Sequence, residues 1–199
     1  MKTLDLIEKK FGFTLPQSYR DIAKSIDLDD MFELGDGYMM QPQEIADFEW
    51  EDFQSPVEGL VPFACNGGGD QYCWYLPDTG DDGEPAVVEA THDSYIGQYY
   101  APSALGTVFR NLLDFCNMAA GEEEAQEDLE EILPPILDLL KAHAPARWVQ
   151  TIENLSDMPA KDDEFGNPCL YTEAEYDALI TDLFGEKYIQ NFKWDLGDD

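Results

Sequence analysis

Between Leu60 and Leu76 the chain reads LVPFACNGGGDQYCWYL. No other stretch restricts the fold as tightly. Leu60, Val61, Phe63 and Ala64 lead in, and Tyr72, Trp74, Tyr75 and Leu76 lead out. β-Branched and aromatic residues on both sides favour extended strands. Asn66-Gly67-Gly68-Gly69 between them accepts positive φ at little cost, so the chain can reverse there. The expectation is a hairpin at the centre of a sheet. A triple glycine also invites comparison with a phosphate loop. Such a loop opens a helix, whose N-terminal amides meet the anion, and a lysine or serine usually follows. Here Asp70 follows, and then a strand. The turn is therefore read as structural.

The chain before the hairpin reads as short elements. Leu4, Ile7 and Phe11 share one helical face, Glu8, Lys9 and Lys10 oppose it, and Gly12 ends the helix. Pro16 starts a second helix, with Tyr19, Ile22, Ala23 and Ile26 as its buried stripe. Asp27, Asp29 and Asp30 break the period and mark a loop. Met31 to Leu34 and Tyr38 to Met40 read as strands around a Gly35-Asp36-Gly37 turn. Pro42 opens a helix with Ile45, Phe48 and Phe53 on one side and Glu44, Asp47, Glu49, Glu51 and Asp52 on the other. Trp50 sits among these acids. Core packing is its simplest role, but an aromatic ringed by carboxylates also has the composition of an interface anchor.

After the hairpin, Pro77 to Pro85 is rich in glycine, proline and acid and reads as an exposed loop carrying Asp78, Asp81, Asp82 and Glu84. Ala86 to Ala90 is a further strand, and Tyr95 to Tyr100 a strand or loop. Ser103 is a good N-cap for a helix with Leu105, Val108, Phe109, Leu112, Leu113 and Cys116 at helical spacing, ended by Gly121.

Residues 121–199 read as a helical extension packed on the same core as residues 1–120. Leu129, Ile132, Leu133, Ile136, Leu137 and Leu140 give it an apolar side, and a run of glutamates an acidic one. Pro134-Pro135 predicts a break into two pieces, because proline lacks a donor and clashes with the preceding turn. Pro145 opens another short helix through Trp148 and Ile152, and a polar connection follows. Thr172-Glu-Ala-Glu175 is a capping box, followed by the stripe Tyr176, Leu179, Ile180, Leu183 and Phe184. Tyr188, Ile189, Phe192 and Trp194 make the tail apolar enough to dock.

Charge narrows the function. Eleven Lys and Arg stand against 43 Asp and Glu, a net charge of −32 over 199 residues. Such a chain repels nucleic acid and anionic membranes, whose binding needs cations. It attracts basic partners and speeds their arrival, and it also favours solubility. With 44% hydrophobic residues, it holds enough apolar material for a real core. No apolar run approaches the ~20 residues needed to span a bilayer. Met1-Lys2-Thr3-Leu4-Asp5 opens into charged helix without an apolar leader, which predicts a cytoplasmic protein. Cys65, Cys73, Cys116 and Cys169 form no CxxC pair and are read as reduced, buried thiols.

Catalytic and metal readings are weak. His92-Asp93-Ser94 holds the residue types of a hydrolase triad, but adjacent residues seldom converge on one substrate atom. Turn capping by Asp93 and Ser94 is preferred. His143 is expected to complement a helix end. Asp78, Asp81, Asp82 and Glu84 do not match the EF-hand spacing. Neither a cofactor nor a metal is called for.

Three segments carry a family resemblance. PFACNGGGDQYCWYL resembles the central signature of the SUKH superfamily, in which an apolar strand meets a Gly-Gly-Gly-Asp turn and an aromatic strand. LIEKKFGFTLPQSYRDI, from Leu6 to Ile22, resembles that family's opening pair of helices around Leu-Pro. Pro85 to Asp93 resembles its next strand, ending near a His-Asp pair. The likeness covers residues 1 to about 120, and Asp27-Leu28-Asp29-Asp30 replaces the Asn-Gly that commonly follows the second helix. The resemblance implies an α+β fold with a central antiparallel or mixed sheet flanked by helices, and a non-catalytic binding role. Many bacterial members are immunity proteins that neutralise a cognate polymorphic toxin, often a nuclease or deaminase; others are regulatory interaction modules. The expected partner is therefore a basic toxin protein. Its expected contacts are Glu44, Asp47, Glu49, Trp50, Glu51 and Asp52, with Asp78, Asp81, Asp82 and Glu84 on the loop. A module with no toxin partner is the alternative.

Overall fold

A computed structural model of the chain describes residues 2–25, 37–50, 58–80, 83–92, 96–155 and 157–193. Ile26, the expected strand Met31 to Leu34, Phe53 and Trp194 lie outside these residues, as do four expected contacts: Glu51, Asp52, Asp81 and Asp82.

The amphipathic stripes at the start become α1 (Lys2–Phe11) and α2 (Gln17–Ser25), which bury Ile7, Tyr19 and Ile22. They are followed by β1 (Gly37–Met39), α3 (Pro42–Asp47), β2 (Leu60–Asn66), β3 (Gln71–Thr79), β4 (Pro85–Ala90) and β5 (Ile96–Ala101). Next come α4 (Ala104–Met118), α5 (Glu123–His143) and α6 (Ala146–Leu155). A small hairpin, β6 (Lys161–Asp162) with β7 (Pro168–Cys169), precedes α7 (Glu173–Phe184), a 3-10 turn (Glu186–Ile189) and β8 (Asn191–Lys193).

The main sheet has the order β1-β2-β3-β4-β5-β8 and is antiparallel throughout. The expected hairpin forms its centre, with Leu60 opposite Tyr75, Val61 opposite Trp74 and a register shift between Pro62 and Ala64. Alternation sends Tyr72 and Trp74 to the helix-covered face, where Trp74 is fully buried. Trp74 stacks on Phe63 with ring centres 4.4 Å apart and meets Tyr19 edge-on at 5.0 Å. Burying a ring of this size removes about 200 Å² from water, of order 5 kcal/mol at ~25 cal/mol/Å².

The glycine-rich turn closes on its own carboxylate. Gly69 takes φ 97, a conformation that glycine adopts without penalty. Asp70 accepts from Asn66 Nδ2 at 2.9 Å and from the backbone N–H of His92 at 2.9 Å, and lies 2.8 Å from His92 Nδ1. Burial would raise this carboxyl, but the hydrogen bonds from Asn66 and His92 outweigh it and hold it below its ordinary value. A charged carboxylate at the turn disfavours a bound phosphate, in line with the structural reading.

Several elements differ from expectation. β3 runs on to Thr79, where it pairs with Pro85, so Pro77 and Asp78 lie on a strand and not in the expected loop. α5 runs unbroken through Pro134 and Pro135. Both prolines are exposed, so the carbonyls that lose partners can be hydrated, while Ile136 and Leu140 on the opposite side are fully buried. The packing of that stripe overrides the local preference for a break. α3 stops at Asp47, with Phe48 as its C-cap, so Glu49 and Trp50 follow the helix instead of lying on it.

The C-terminal segment is also more than helical. β8 extends the sheet beside β5, with Gly97 opposite Phe192. Ile136, Leu140, Trp148, Ile152, Ile180 and Leu183 belong to the same apolar cluster as Phe63 and Trp74.

Candidate functional site

The sheet's outer face carries a second, smaller apolar cluster. Leu60, Cys73, Val88 and Ala90 are buried there, with Trp50, Tyr75 and Tyr99 half-buried around them. The period of two along β3 and β4 accounts for this set, since Cys73 and Val88 point away from Trp74 and Val87. Trp50 reaches the cluster from the chain just past α3, and the Phe48 ring meets it edge-on at 5.1 Å. Tyr99 donates its hydroxyl to Asp78 Oδ2 at 2.9 Å, and Lys187 Nζ lies 2.7 Å from the same oxygen. Lys187 also sits 4.6 Å from the Tyr99 ring centre, a cation–π contact. Burial and the Asp78 charge push the Tyr99 hydroxyl above its ordinary value, so it stays a donor.

The acidic positions singled out in the sequence that lie among the described residues divide into three groups. Glu49 is the chain neighbour of Trp50, and Asp78 holds the Tyr99 hydroxyl. Glu49 is 86% exposed and pairs with Lys10 at 3.1 Å, a surface contact of small energy. Glu44 and Asp47 are exposed on α3, where Glu44 accepts from the Gln41 N–H at 2.6 Å as a capping box and Asp47 from Gln43 Nε2 at 2.7 Å. Glu84 goes elsewhere. It accepts from the Ser18 backbone N–H at 3.0 Å and from Ser18 Oγ at 2.5 Å, capping α2 from a distant loop.

A buried polar network was not foreseen. Arg110 on α4 is 6% exposed. It donates through Nη1 to the Tyr100 carbonyl at 2.8 Å and the Tyr188 carbonyl at 2.9 Å, and through Nε to the Tyr176 hydroxyl at 3.3 Å. Its guanidinium lies 4.3 Å from the Tyr100 ring centre. Tyr100 donates to Asp114 at 2.9 Å and also hydrogen-bonds Asn111. Glu89 on β4 points toward this group. Burial pushes its carboxyl up to about 7, the Asp70 and Asp114 charges add to that, and Arg110 opposes it. Burial likewise raises Asp114, against hydrogen bonds from Tyr176 and Tyr100 and the Arg110 charge. Two signals for this network were present. Arg110 and Asp114 stand four apart on an otherwise uncharged helix, and Glu89 is the lone acid of a β-branched strand.

His92 is committed to Asp70 in the turn, while Asp93 and Ser94 lie outside the described residues. His143, in the last turn of α5, has Nδ1 3.6 Å from Asp21 on α2. It lines a cleft of about 820 Å³ with Ser18, Glu84 and Lys187. Among the described residues no group of three or more His, Cys, Asp or Glu side chains could hold a metal ion. Cys65, Cys73, Cys116 and Cys169 are free and buried, and burial raises Cys73 and Cys116 above the ordinary thiol value. No helix of the described residues is long and apolar enough to cross a membrane.

The site thus comprises an aromatic face, a closed turn and a buried polar network. Comparison with known proteins agrees with the fold. No curated protein matches the chain. The family model of the SMI1/KNR4 family (SUKH-1), in contrast, matches residues 2–117, from the start of α1 to the end of α4. That span holds the Gly-Gly-Gly-Asp hairpin and five strands of the main sheet. The chain belongs to the SMI1/KNR4 (SUKH-1) family.

Proposed function

We propose that this protein is an immunity protein: it binds a basic toxin domain and blocks its active site or its access to substrate. The observation that carries this reading is the outer sheet face, where Trp50, Tyr75 and Tyr99 stand beside Glu49 and Asp78 on a chain of net charge −32. Half-buried aromatics supply contact area at small entropic cost, and carboxylates around them select a cationic surface. A nuclease-like toxin carries such a surface for its phosphates, and an acidic protein can occupy it instead. Glu44 and Asp47 on α3 would extend the contact, with Glu51, Asp52, Asp81 and Asp82 close by in sequence. The action is binding without catalysis, in the cytoplasm where the toxin would otherwise reach its target. Residues 1–120 would form the binding domain, with residues 121–199 as an extension packed on it.

The test is co-production with the toxin domain encoded next to this chain. Survival of cells that otherwise die supports immunity. Death despite a full level of this protein refutes it, and favours the alternative of a regulatory interaction module. In vitro, the association rate with that domain should fall roughly tenfold or more as salt rises through the screening range. Trp50→Ala should speed dissociation, and Glu49→Lys should slow association. A rate indifferent to salt would remove the electrostatic part of the proposal.

A further inference from the structure

α5 and the chain from α6 to β7 leave a groove of about 450 Å³ between them. Its floor is the end of α4, at Cys116, Ala119 and Ala120. Leu129, Leu133 and Leu137 form one wall, spaced as a single helix face, and they are only half-buried. Ile152, Leu155, Met158 and Ala160 form the other wall. The rim is acidic. Glu122 and Glu130 are exposed one turn to either side of Gln126, which lines the groove. Glu153 lines the opposite wall, where it pairs with Lys141 at 2.9 Å, and Asp157 is exposed. Two large side chains stand out into solvent on segments that lead into these walls, Met118 at 60% exposure and Phe165 at 81%. Almost all of the groove lies beyond the residues 2–117 that define the family match.

We propose that this groove receives a basic amphipathic helix of a partner protein. Leucine- or methionine-like side chains would enter between α5 and α6, with Lys or Arg against Glu122, Glu130 and Asp157. The wall from Gln126 to Leu137 is three turns long, about 16 Å at 1.5 Å per residue, which suits a helix seated in a groove. Charge complementarity selects the occupant. A fatty carboxylate or an anionic membrane would meet the acidic rim, and a second copy would bring another net charge of −32. This site is separate from the outer sheet face and needs no toxin.

The test uses the full chain and a synthetic helical peptide of about 14 residues, ~21 Å long, with Leu at i, i+3, i+4 and i+7 and Lys elsewhere. One control peptide scrambles that order, and another has Glu in place of Lys. Calorimetry should give saturable one-to-one binding for the patterned peptide, about tenfold weaker binding for the scrambled one, and none for the acidic one. Ala160→Trp, at an exposed position, should fill the groove and weaken binding about tenfold or more. Glu122→Lys with Glu130→Lys should weaken it at low salt and flatten its salt dependence. The Met158 methyl resonance should shift on binding while the Trp50 indole resonance stays put, a readout that holds even if the Trp variant folds poorly. Equal binding of patterned and scrambled peptides, shifts centred on Trp50, or an unchanged affinity in a folded Ala160→Trp protein would each overturn the proposal. So would a dimer of this chain that the same substitution dissolves.

Discussion

At the scale of single residues, Glu89 makes the sharpest forecast. Its carboxyl titrates near 7 in the folded protein against an ordinary 4.5. Between those values the folded state keeps a proton that the unfolded chain has released. The stabilisation is therefore complete below about 4.5 and is lost as pH rises through about 7. Asp114, raised in the same direction, adds to the trend. Glu89→Gln keeps the shape and removes the titration. Urea unfolding should then show higher stability than wild type at about pH 8, and a flatter dependence between about 4.5 and 7. An unchanged slope would mean that Glu89 is ionised in the fold. Legibility at this scale was uneven. Trp50 was noticed because its neighbours in sequence are acids. Arg110 was passed over because its partners, the Tyr100 and Tyr188 carbonyls and the Tyr176 hydroxyl, come from distant segments and are backbone or phenolic groups that no spacing announces.

At the scale of elements, the central hairpin was readable because its constraint is local: glycines where the chain reverses, aromatics and β-branched residues where it extends. α7 was readable for the same reason, and its capping box at Thr172 and Glu175 forms as expected. α5 was misread because the proline rule is also local while the opposing force is not. Ile136 and Leu140 are fully buried, and they hold the helix through two residues that disfavour it. Pro134→Ala combined with Pro135→Ala should consequently stabilise the protein. The intrinsic gain is about 3 kcal/mol per proline, reduced by the helix's accommodation of both rings and by the freer unfolded chain, so about 1–3 kcal/mol net is expected. Chemical denaturation measures it, and a loss of stability would show that the prolines themselves stabilise the fold. β8 went unrecognised because three residues are too few for a period of two to register.

At the scale of the whole molecule, the family region and the segment after it share one apolar cluster. Ile136, Leu140, Trp148, Ile152, Ile180 and Leu183 are buried in it from the C-terminal side. At ~1.5–3 kcal/mol for each buried side chain, these six contribute about 9–18 kcal/mol, comparable with the ~5–15 kcal/mol that separates folded from unfolded domains. A chain cut after Ala120 should therefore lose its cooperative thermal transition and expose apolar surface to a dye such as ANS. A sharp transition in the shortened chain would establish that residues 1–120 fold alone. The sequence pointed to a packed extension through its apolar stripes. It did not reveal that the extension completes the sheet.

That completion has a consequence for synthesis. β5 ends at Ala101 and its outer neighbour β8 begins at Asn191, 90 residues later. At ~5–20 residues per second, a ribosome needs roughly 5–20 s to make the intervening chain. Throughout that interval the strands already made lack both the core and the neighbour that complete them, and unpaired strands of this kind pair with other chains. Neighbouring copies emerging on one messenger could join through them before either is finished, so the yield of active protein should depend on how fast translation passes from α4 to β8.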